Sequence, residues 1–145
     1  MLKIIVNNIL NSADKKKAFE IRDLVFCKEQ KVSKKIEFVG LDECCEHYLA
    51  KINELPMGTS RIREEKKGIF KIERMAVLKE YRKKGVGKAI IEEILKHYLN
   101  LNKVNNLIFN SQIEAKDFYK KFGFVEVGEE FIEANIIHQK MIYNV

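Results

Sequence analysis

Residues 69–101 read IFKIERMAVLKEYRKKGVGKAIIEEILKHYLNL, and three patterns follow one another along this stretch. The first, over 69–78, has the alternation of a strand with two apolar faces. One face is formed by Phe70, Ile72, Ala76 and Leu78, and the other by Ile69, Met75 and Val77. We therefore expect a central strand that is covered on both sides. The last pattern predicts a helix with one apolar face. Its apolar residues recur four positions apart, at Val86, Ile90, Ile94 and Tyr98.

The turn between this strand and this helix is basic and contains two glycines. Gly85 and Gly87 allow backbone conformations that other residues avoid, and they let a ligand approach the main chain. The first N–H groups of a helix lack partners within it, and together with the helix dipole they attract anions. The flanking cationic side chains are Arg82, Lys83, Lys84 and Lys88. The turn therefore predicts a site for a phosphate or, better, a pyrophosphate.

Three phosphate-binding motifs can be compared with this turn. A P-loop requires G-x-x-x-x-G-K-[ST], whereas here one residue separates the glycines and Ala89 follows Lys88. The Rossmann pattern G-x-G-x-x-G fails because Ile90 takes the place of its third glycine. The pattern [RQ]-x-x-G-x-[GA] is matched in full by residues 82–87. Set between a strand and a helix, this segment resembles the pyrophosphate loop of the GNAT superfamily of acetyl-CoA-dependent N-acetyltransferases.

A second segment carries the same resemblance. Residues 115–124, AKDFYKKFGF, are similar to the GNAT segment A-x-x-F-Y-x-[KR]-x-G-F. The family usually has Asn three residues before the alanine, and here Gln112 extends the amide by one methylene. A finer resemblance is to a subgroup of small GNAT proteins, mostly of unassigned substrate. It is carried by Arg22, Val25, Phe26, Glu29, Gln30, Asp42, His47, Ile72, Glu73, Arg74 and His138.

Length and composition favour a single globular domain over residues 1–145. The formal charge is +6, from 27 Lys and Arg against 21 Asp and Glu. Such a surplus suits nucleic acid, a membrane surface or a polyanionic small molecule such as coenzyme A. The sequence has no recognised nucleic-acid-binding signature, signal peptide or membrane-spanning run, and its three cysteines have neither disulfide nor metal spacing. We expect a cytoplasmic protein that binds no nucleic acid, membrane or metal.

The remaining patterns predict a mixed α/β (α+β) sheet of six or seven strands flanked by about four helices, which the resemblance to the GNAT fold also implies. Besides 69–78, strands are expected at 2–6, 48–52, 59–63, 104–109, 124–127 and 136–143. Further helices are expected from capping residues near Asn11 to Lys28, and over 115–122, ending at Gly123. Residues 30–39 predict a loop or short helical turn, and 54–58, with the single proline, predict a hairpin turn.

The resemblance implies transfer of the acetyl group of acetyl-CoA to a primary amine, which attacks the thioester directly. Met75, Ala76 and Val77 would bind the pantetheine arm through strand backbone, and Tyr119 would be the general acid. Reference pKa values of about 10 for tyrosine and 8.5 for a thiol make full proton transfer unfavourable by roughly 2 kcal/mol, so hydrogen bonding also matters. The implied cofactor-binding residues are Met75, Ala76, Val77, Arg82, Lys83, Lys84, Gly85, Val86, Gly87, Lys88, Gln112 and Tyr119.

The sequence leaves alternatives open for the base and the acceptor. Glu73 on the central strand is a candidate base, although it would need burial or a water relay to be effective. His47 and His138 are alternatives because imidazole titrates near neutral pH. The candidate acceptor-binding residues are Phe26, Glu29, His47, Glu73 and His138. Small amines, polyamines, protein lysines and amino sugars are all possible acceptors.

Three further hypotheses concern the whole protein. Residues 72–74, Ile-Glu-Arg, resemble the first two positions of an Ile-Glu-Asp-like segment in hexosamine-phosphate acetyltransferases of the superfamily. A different class of function is a non-catalytic module that binds acyl-CoA as a sensor. The closing strands of this fold often pair across dimers, so a homodimer is also possible.

Overall fold

The computed structural model describes residues 3–38 and 40–145, and the seven strands in these ranges form one mixed sheet. The strands are β1 (Ile5–Asn8), β2 (Glu46–Ile52), β3 (Leu55–Lys66), β4 (Ile69–Val77), β5 (Asn106–Gln112), β6 (Val125–Glu133) and β7 (Ile136–Asn144). Their order across the sheet is β1-β2-β3-β4-β5-β7-β6. The β4–β5 pair is parallel and the other pairs are antiparallel. The predicted mixed sheet is confirmed, with β4 at its centre.

Four α-helices accompany the sheet in the described part of the chain. They are α1 (Ser12–Arg22), α2 (Lys34–Glu37), α3 (Val86–Tyr98) and α4 (Lys116–Lys120). A π-helical segment, Asp23–Glu29, continues α1. Asn11 caps α1, because its side-chain oxygen accepts a hydrogen bond of 2.8 Å from the backbone N–H of Asp14. The predicted first helix is thus confirmed. No helix within the described ranges is both long and apolar enough to cross a membrane.

The first strand and the β2–β3 hairpin differ from their predicted bounds. Strand β1 starts at Ile5 rather than near residue 2. Residue 2 itself lies outside the described residues, and so does residue 39 of the predicted loop. The hairpin turns at Asn53 and Glu54, which have φ of 47° and 68°, as a tight two-residue turn requires. The predicted turn at 54–58 is therefore wrong, since β3 already begins at Leu55.

Strands β4 and β5 separate after a short paired region. Their parallel register covers only Ile69–Ile72 against residues 106–109 in the described sheet, although β4 continues to Val77 and β5 to Gln112. Strand β5 instead pairs with β7 along its whole length. The second half of β4 therefore has a free edge on the β5 side, and an opening forms in the middle of the sheet.

A bulge at Arg74 reverses the faces of β4. Glu73 pairs with Arg61 and Ala76 with Thr59, so two residues of β4 face one residue of β3 between these pairs. Arg74 has φ of 57°, in the left-handed region. As a result, Phe70 and Ile72 pack in one core while Ala76 and Leu78 pack in the other. The prediction that these four residues share a face is wrong, because the extra residue shifts the alternation by one position.

The two faces of the sheet are covered by different helices. Helix α3 covers one face with a fully buried stripe formed by Val86, Ile90, Ile91, Ile94 and Tyr98. Helix α1 and the π-helical segment cover the other face with Ala18, Ile21 and Val25. Gly58 of β3 allows α3 to approach closely, because a Cβ there would lie 2.9 Å from Val86 Cγ1 and 3.1 Å from Ile90 Cδ1. This contact fixes the amino end of α3 beside β4.

Candidate active site

A cleft of about 710 Å³ opens where β4 and β5 separate. Its walls come from the π-helical segment, the second half of β4, the turn before α3, helix α4 and strand β7. Most of the residues predicted for cofactor and acceptor binding line this one cleft. The segments that the sequence singles out thus meet in space, although they are far apart along the chain.

The amino end of α3 forms one end of the cleft. Gly85 is its N-cap residue with φ of 86°, and no side chain caps the helix. The free N–H groups of the first turn are thus available to a ligand, and Gly85, Val86 and Gly87 all line the cleft. A Cβ on Gly85 would meet no atom within 4 Å, whereas one on Gly87 would lie 3.3 Å from Phe118 Cζ. Gly85 is therefore needed for its backbone conformation and Gly87 for its packing.

The basic residues of the turn have different environments. Lys83 and Lys88 line the cleft, and Lys83 has φ of 62°. Lys84 is exposed and is not among the lining residues, so the structure does not bring it to the site as predicted. The basic side chains that line this end of the cleft, beside the helix amides, are therefore Arg82, Lys83 and Lys88.

Arg82 is engaged by protein groups. Its Nη1 and Nη2 donate hydrogen bonds of 2.6 Å to the two carboxylate oxygens of Glu29, and its Nε donates one of 2.9 Å to the carbonyl of Val77. The hydrogen bonds from Arg82 lower the pKa of Glu29. Arg82 thus ties the π-helical segment to the end of β4, and Glu29 faces Arg82 rather than lining the cleft. In this arrangement the Arg82 guanidinium is occupied by Glu29 and Val77, and the Glu29 carboxylate is occupied by Arg82.

The free edge of β4 forms the middle of the cleft. Met75, Ala76 and Val77 line it, and their register with β5 has already ended. Backbone groups on this edge can pair with an extended ligand as with another strand. Opposite them, the amides of Gln112 and Gln30 exchange two hydrogen bonds of 3.0 and 3.1 Å. Gln112 lies at the site as predicted, but its amide binds Gln30.

Tyr119 lies where the middle of the cleft meets the aromatic core. Its ring packs 4.3 Å from that of Phe109 and 5.0 Å from that of Phe118, measured between centroids. The side chain is 3% exposed, and burial raises its pKa above the ordinary value for tyrosine. Its hydroxyl has no hydrogen-bond partner among the described residues, although Tyr119 borders the cleft. The hydroxyl therefore stays protonated and can donate a hydrogen bond to a group in the cleft.

His138 and Phe26 also line the cleft. His138 is 8% exposed and lines the cleft, and its Nδ1 lies 2.7 Å from the carbonyl of Ile136. Because a carbonyl can only accept, Nδ1 carries the proton and the lone pair of the neutral ring is on Nε2. Phe131 stacks on this ring at 5.8 Å between centroids. His138 is thus held in one orientation with its basic nitrogen free of the backbone.

Glu73 lines the cleft but is surrounded by cations. Its carboxylate binds Arg61 Nη2 at 3.3 Å and Arg63 Nε, and Lys71 Nζ lies 3.9 Å away. Burial acts to raise the pKa of Glu73, but Arg61, Arg63 and Lys71 together lower it below the ordinary value. A carboxylate with a lowered pKa is a weak base. Glu73 therefore suits an ion-pair role better than the predicted proton transfer.

His47 does not reach the cleft. It is 5% exposed on β2, its Nε2 lies 2.9 Å from the carbonyl of Asp42, and Phe19 packs against its ring. Burial lowers its pKa, so it is held in the neutral form. Of the two predicted histidines, the structure brings only His138 to the site, because side chains on β2 are two strands away from the opening.

A buried ion-pair network lies beside the cleft, and among its members sequence reasoning gave a role in the site only to Glu73. Arg22 and Arg61 are each 1% exposed, and both bind Asp42 Oδ1, at 2.7 and 2.8 Å. Arg22 also binds Glu37 at 2.7 Å, and Arg74 Nε lies 3.1 Å from the same carboxylate. A usable signal was the presence of Arg61 within an otherwise buried strand, since a lone buried charge requires partners.

Comparison with known proteins identifies the class to which this fold and cleft belong. A family model described as an acetyltransferase (GNAT) domain matches residues 12–145. The chain therefore belongs to the GNAT acetyltransferases, which confirms the resemblance drawn from the segments 82–87 and 115–124.

Individual relatives agree with this assignment. The uncharacterised N-acetyltransferase YjcF of Bacillus subtilis is 38% identical over 133 residues, covering 91% of this chain and 94% of its own. An acyl-CoA N-acyltransferase from Pseudomonas aeruginosa shares the fold with a TM-score of 0.83 at 24% identity, covering 98% of this chain and 99% of that one. An aminoglycoside 6′-N-acetyltransferase complexed with coenzyme A gives a TM-score of 0.78 at 12% identity, with 97% and 96% covered.

Proposed function

We propose that this protein transfers the acetyl group of acetyl-CoA to a primary amine by direct attack of the amine on the thioester. The observation that carries the proposal is the continuity of the cleft. The uncapped amino end of α3, the free edge of β4 and the unpaired hydroxyl of Tyr119 line one opening. These are the groups needed to hold a diphosphate, an extended amide arm and a leaving sulfur in that order. The coenzyme A bound to the aminoglycoside acetyltransferase of the same fold supports this ligand.

The residues present fit acetyl-CoA, which supplies an acetyl group activated as a thioester. The amides of Val86 and Gly87 would bind the diphosphate, with Lys83 and Lys88 adding positive charge. Gly85 leaves open space where a side chain would otherwise stand. The β4 edge at Met75–Val77 would pair with the amide groups of the pantetheine arm. Arg82 would act indirectly, by fixing the turn through Val77 and Glu29.

In the reaction, Tyr119 would act on the thioester sulfur and His138 on the attacking amine. Tyr119 donates a hydrogen bond to the sulfur as the carbon–sulfur bond breaks, and its raised pKa keeps the proton on its own oxygen, so CoA leaves as a thiolate stabilised by this bond. His138 accepts a proton from the attacking amine through Nε2, since Nδ1 donates to Ile136. We favour His138 over Glu73 because three cations lower the pKa of the Glu73 carboxylate, which makes it a weak base.

The test is a screen of amine acceptors that follows release of free CoA thiol, combined with a charge placed at the diphosphate site. We expect Gly85→Glu to weaken CoA binding by on the order of 100-fold, because the added carboxylate repels the diphosphate. Isothermal titration with CoA measures the affinity.

Gly128→Glu is the matched control. Gly128 also has a positive φ, 74°, and open space around its Cβ, but it lies on the exposed strand β6. Both substitutions therefore strain the backbone similarly, and only Gly85→Glu should affect CoA. Unchanged CoA affinity in a folded Gly85→Glu protein would contradict the proposed site. Tight acetyl-CoA binding without turnover of any amine would instead favour a sensing module.

A further inference from the structure

One wall of the cleft contains an arginine, Arg74, whose terminal nitrogens have no hydrogen-bond partner among the described residues. Arg74 lines the cleft with its side chain 21% exposed. Its Nε binds Glu37, at 3.1 Å from Oε1 and 3.4 Å from the carbonyl. Neither Nη1 nor Nη2 donates a hydrogen bond to any residue in 3–38 or 40–145. A partly buried guanidinium with four unused N–H groups is a site for an anion.

The charges around Arg74 do not balance. The connected ion pairs join five cations to four carboxylates within 4.0 Å, which leaves one positive charge in excess among the described residues. The cations are Arg22, Arg61, Arg63, Lys71 and Arg74, and the carboxylates are Glu37, Asp42, Glu65 and Glu73. Every carboxylate is already shared by at least two cations.

The excess charge is accessible from the cleft. Lys71 also lines it, and its Nζ is 3.8 Å from Glu65 and 3.9 Å from Glu73, too far for hydrogen bonds. Arg22 and Arg61, by contrast, are buried behind the wall. Among the cations of the network, Lys71 and Arg74 are therefore the two that line the cleft.

The position of Arg74 separates this charge from the diphosphate end. Arg74 precedes Met75–Val77, whose free edge is proposed to hold the pantetheine arm, and the turn to α3 follows them. At about 3.3 Å per strand residue, Arg74 lies roughly 10 Å before Val77 along β4. An anion bound by Arg74 would thus lie on the acceptor side of the thioester.

We propose that the acceptor is a primary amine that also carries a carboxylate or a phosphate, and that Arg74, assisted by Lys71, binds this anionic group. The inference rests on the proposed acetyl transfer and adds the class of acceptor. Each carboxylate of the network is already shared by at least two cations, so a cationic acceptor would have to compete with them. Glu114 and Glu133 at the exposed rim are the groups that a polycation would use instead.

The first experiment compares matched acceptors in the CoA-release assay. Amino acids are set against the amines left by their decarboxylation, a hexosamine phosphate against the free hexosamine, and spermidine represents polycations. We expect kcat/KM to be at least about tenfold higher for the anionic member of one pair, since a charge-assisted pair contributes about 1.5–3 kcal/mol. The pair that shows the difference distinguishes carboxylate from phosphate.

The second experiment changes Arg74. Arg74→Gly suits the positive φ and removes the charge, whereas Arg74→Lys retains it. We expect KM for the anionic acceptor to rise at least about tenfold in Arg74→Gly and less in Arg74→Lys, with CoA affinity unchanged in both. Thermal unfolding establishes that each variant is folded.

The outcomes separate the two proposals. Faster acetylation of spermidine or of the neutral amines, or an unchanged KM in folded Arg74→Gly, would overturn the anionic acceptor while leaving acetyl transfer intact. Absence of CoA binding to the unaltered protein would overturn acetyl transfer itself.

Discussion

Tyr119 owes its chemical character to its surroundings. Burial among Phe109, Phe118 and Phe124 raises its pKa, so the hydroxyl stays protonated and remains a hydrogen-bond donor. Tyr119→Phe retains the ring packing and removes only this donor. We expect kcat to fall by on the order of 100-fold with CoA affinity unchanged. Steady-state kinetics and CoA titration measure the two quantities, and a kcat within about twofold of the original would exclude Tyr119 from the chemistry.

His138 allows a different test, because the amine can lose its proton without help at high pH. We expect His138→Gln to lower kcat/KM by on the order of 100-fold near pH 7, and the deficit to shrink as the pH approaches the pKa of the amine, about 10 for a lysine-like group. A rate profile between pH 6 and 10 shows the trend. Glu73→Gln tested in parallel separates the two candidates, since a larger, pH-dependent loss there would assign the base to Glu73.

The predictable residues of the site are those with local signals. Gly85, Gly87 and Tyr119 belong to short motifs whose chemistry needs neighbouring residues only. The hydrogen bonds of Gln30 with Gln112 and of Glu29 with Arg82 join residues 82 and 53 positions apart. No sequence periodicity indicates such a pair. The predicted ligand contacts of Gln112 and Arg82 therefore took no account of their hydrogen bonds to Gln30 and Glu29.

Among the elements, β4 shows what alternation can and cannot predict. Its central position followed from two apolar faces, and the structure confirms it. The bulge was not predictable, because Arg74 is not a residue type that favours a positive φ. Its consequence extends to the site, since the bulge changes the face of every residue from Met75 onward. A strained backbone at a cleft wall is common at functional sites.

Strand β6 was predicted at less than half of its observed length for the opposite reason. It runs over Val125–Glu133 at the edge of the sheet, and eight of its nine residues are exposed. With no buried face, the strand has no apolar alternation to detect beyond Val127. Edge strands are held by backbone pairing, here with β7, and their side chains carry little information about the pairing.

At the scale of the whole molecule, the ion-pair network joins α1, α2, the turn before β2, and strands β3 and β4. Asp42 links Arg22 of α1 to Arg61 of β3, and Glu37 links Arg22 to Arg74. Removing one member leaves buried charges without partners, which typically costs about 3–5 kcal/mol. The same side chains support the cleft wall that contains Lys71, Glu73 and Arg74, so the stability of the fold and the shape of the site depend on one set of charges.

The network also predicts acid sensitivity. Burial opposes ionisation of Asp42 and Glu73, but their arginine partners lower both pKa values overall. A carboxyl whose pKa is lower in the folded state than in the unfolded state stabilises the fold at pH values above its unfolded pKa, which is about 4. This contribution is lost as the pH falls through the folded pKa. Glu37 acts in the opposite sense, because burial raises its pKa despite Arg74 and Arg22. Asp42 and Glu73 therefore contribute a loss of stability in acid, which Glu37 opposes.

We therefore expect the midpoint of thermal unfolding to fall steeply between pH 5 and about 2 to 3. We expect the Asp42→Asn variant to unfold at a lower temperature at pH 7, and its unfolding midpoint to fall less steeply in acid. Glu126→Gln is the control. Glu126 also has a pKa lowered by Lys120, but it lies on the exposed edge strand. Its substitution should therefore leave the fall of the unfolding midpoint in acid unchanged. Calorimetry across this pH range measures the unfolding midpoint of all three proteins.

A midpoint that is the same at pH 6 and pH 3 would show that ionisation of the buried carboxylates is not linked to folding. The account of this cleft wall as an ion-pair network that stabilises the fold would then be wrong.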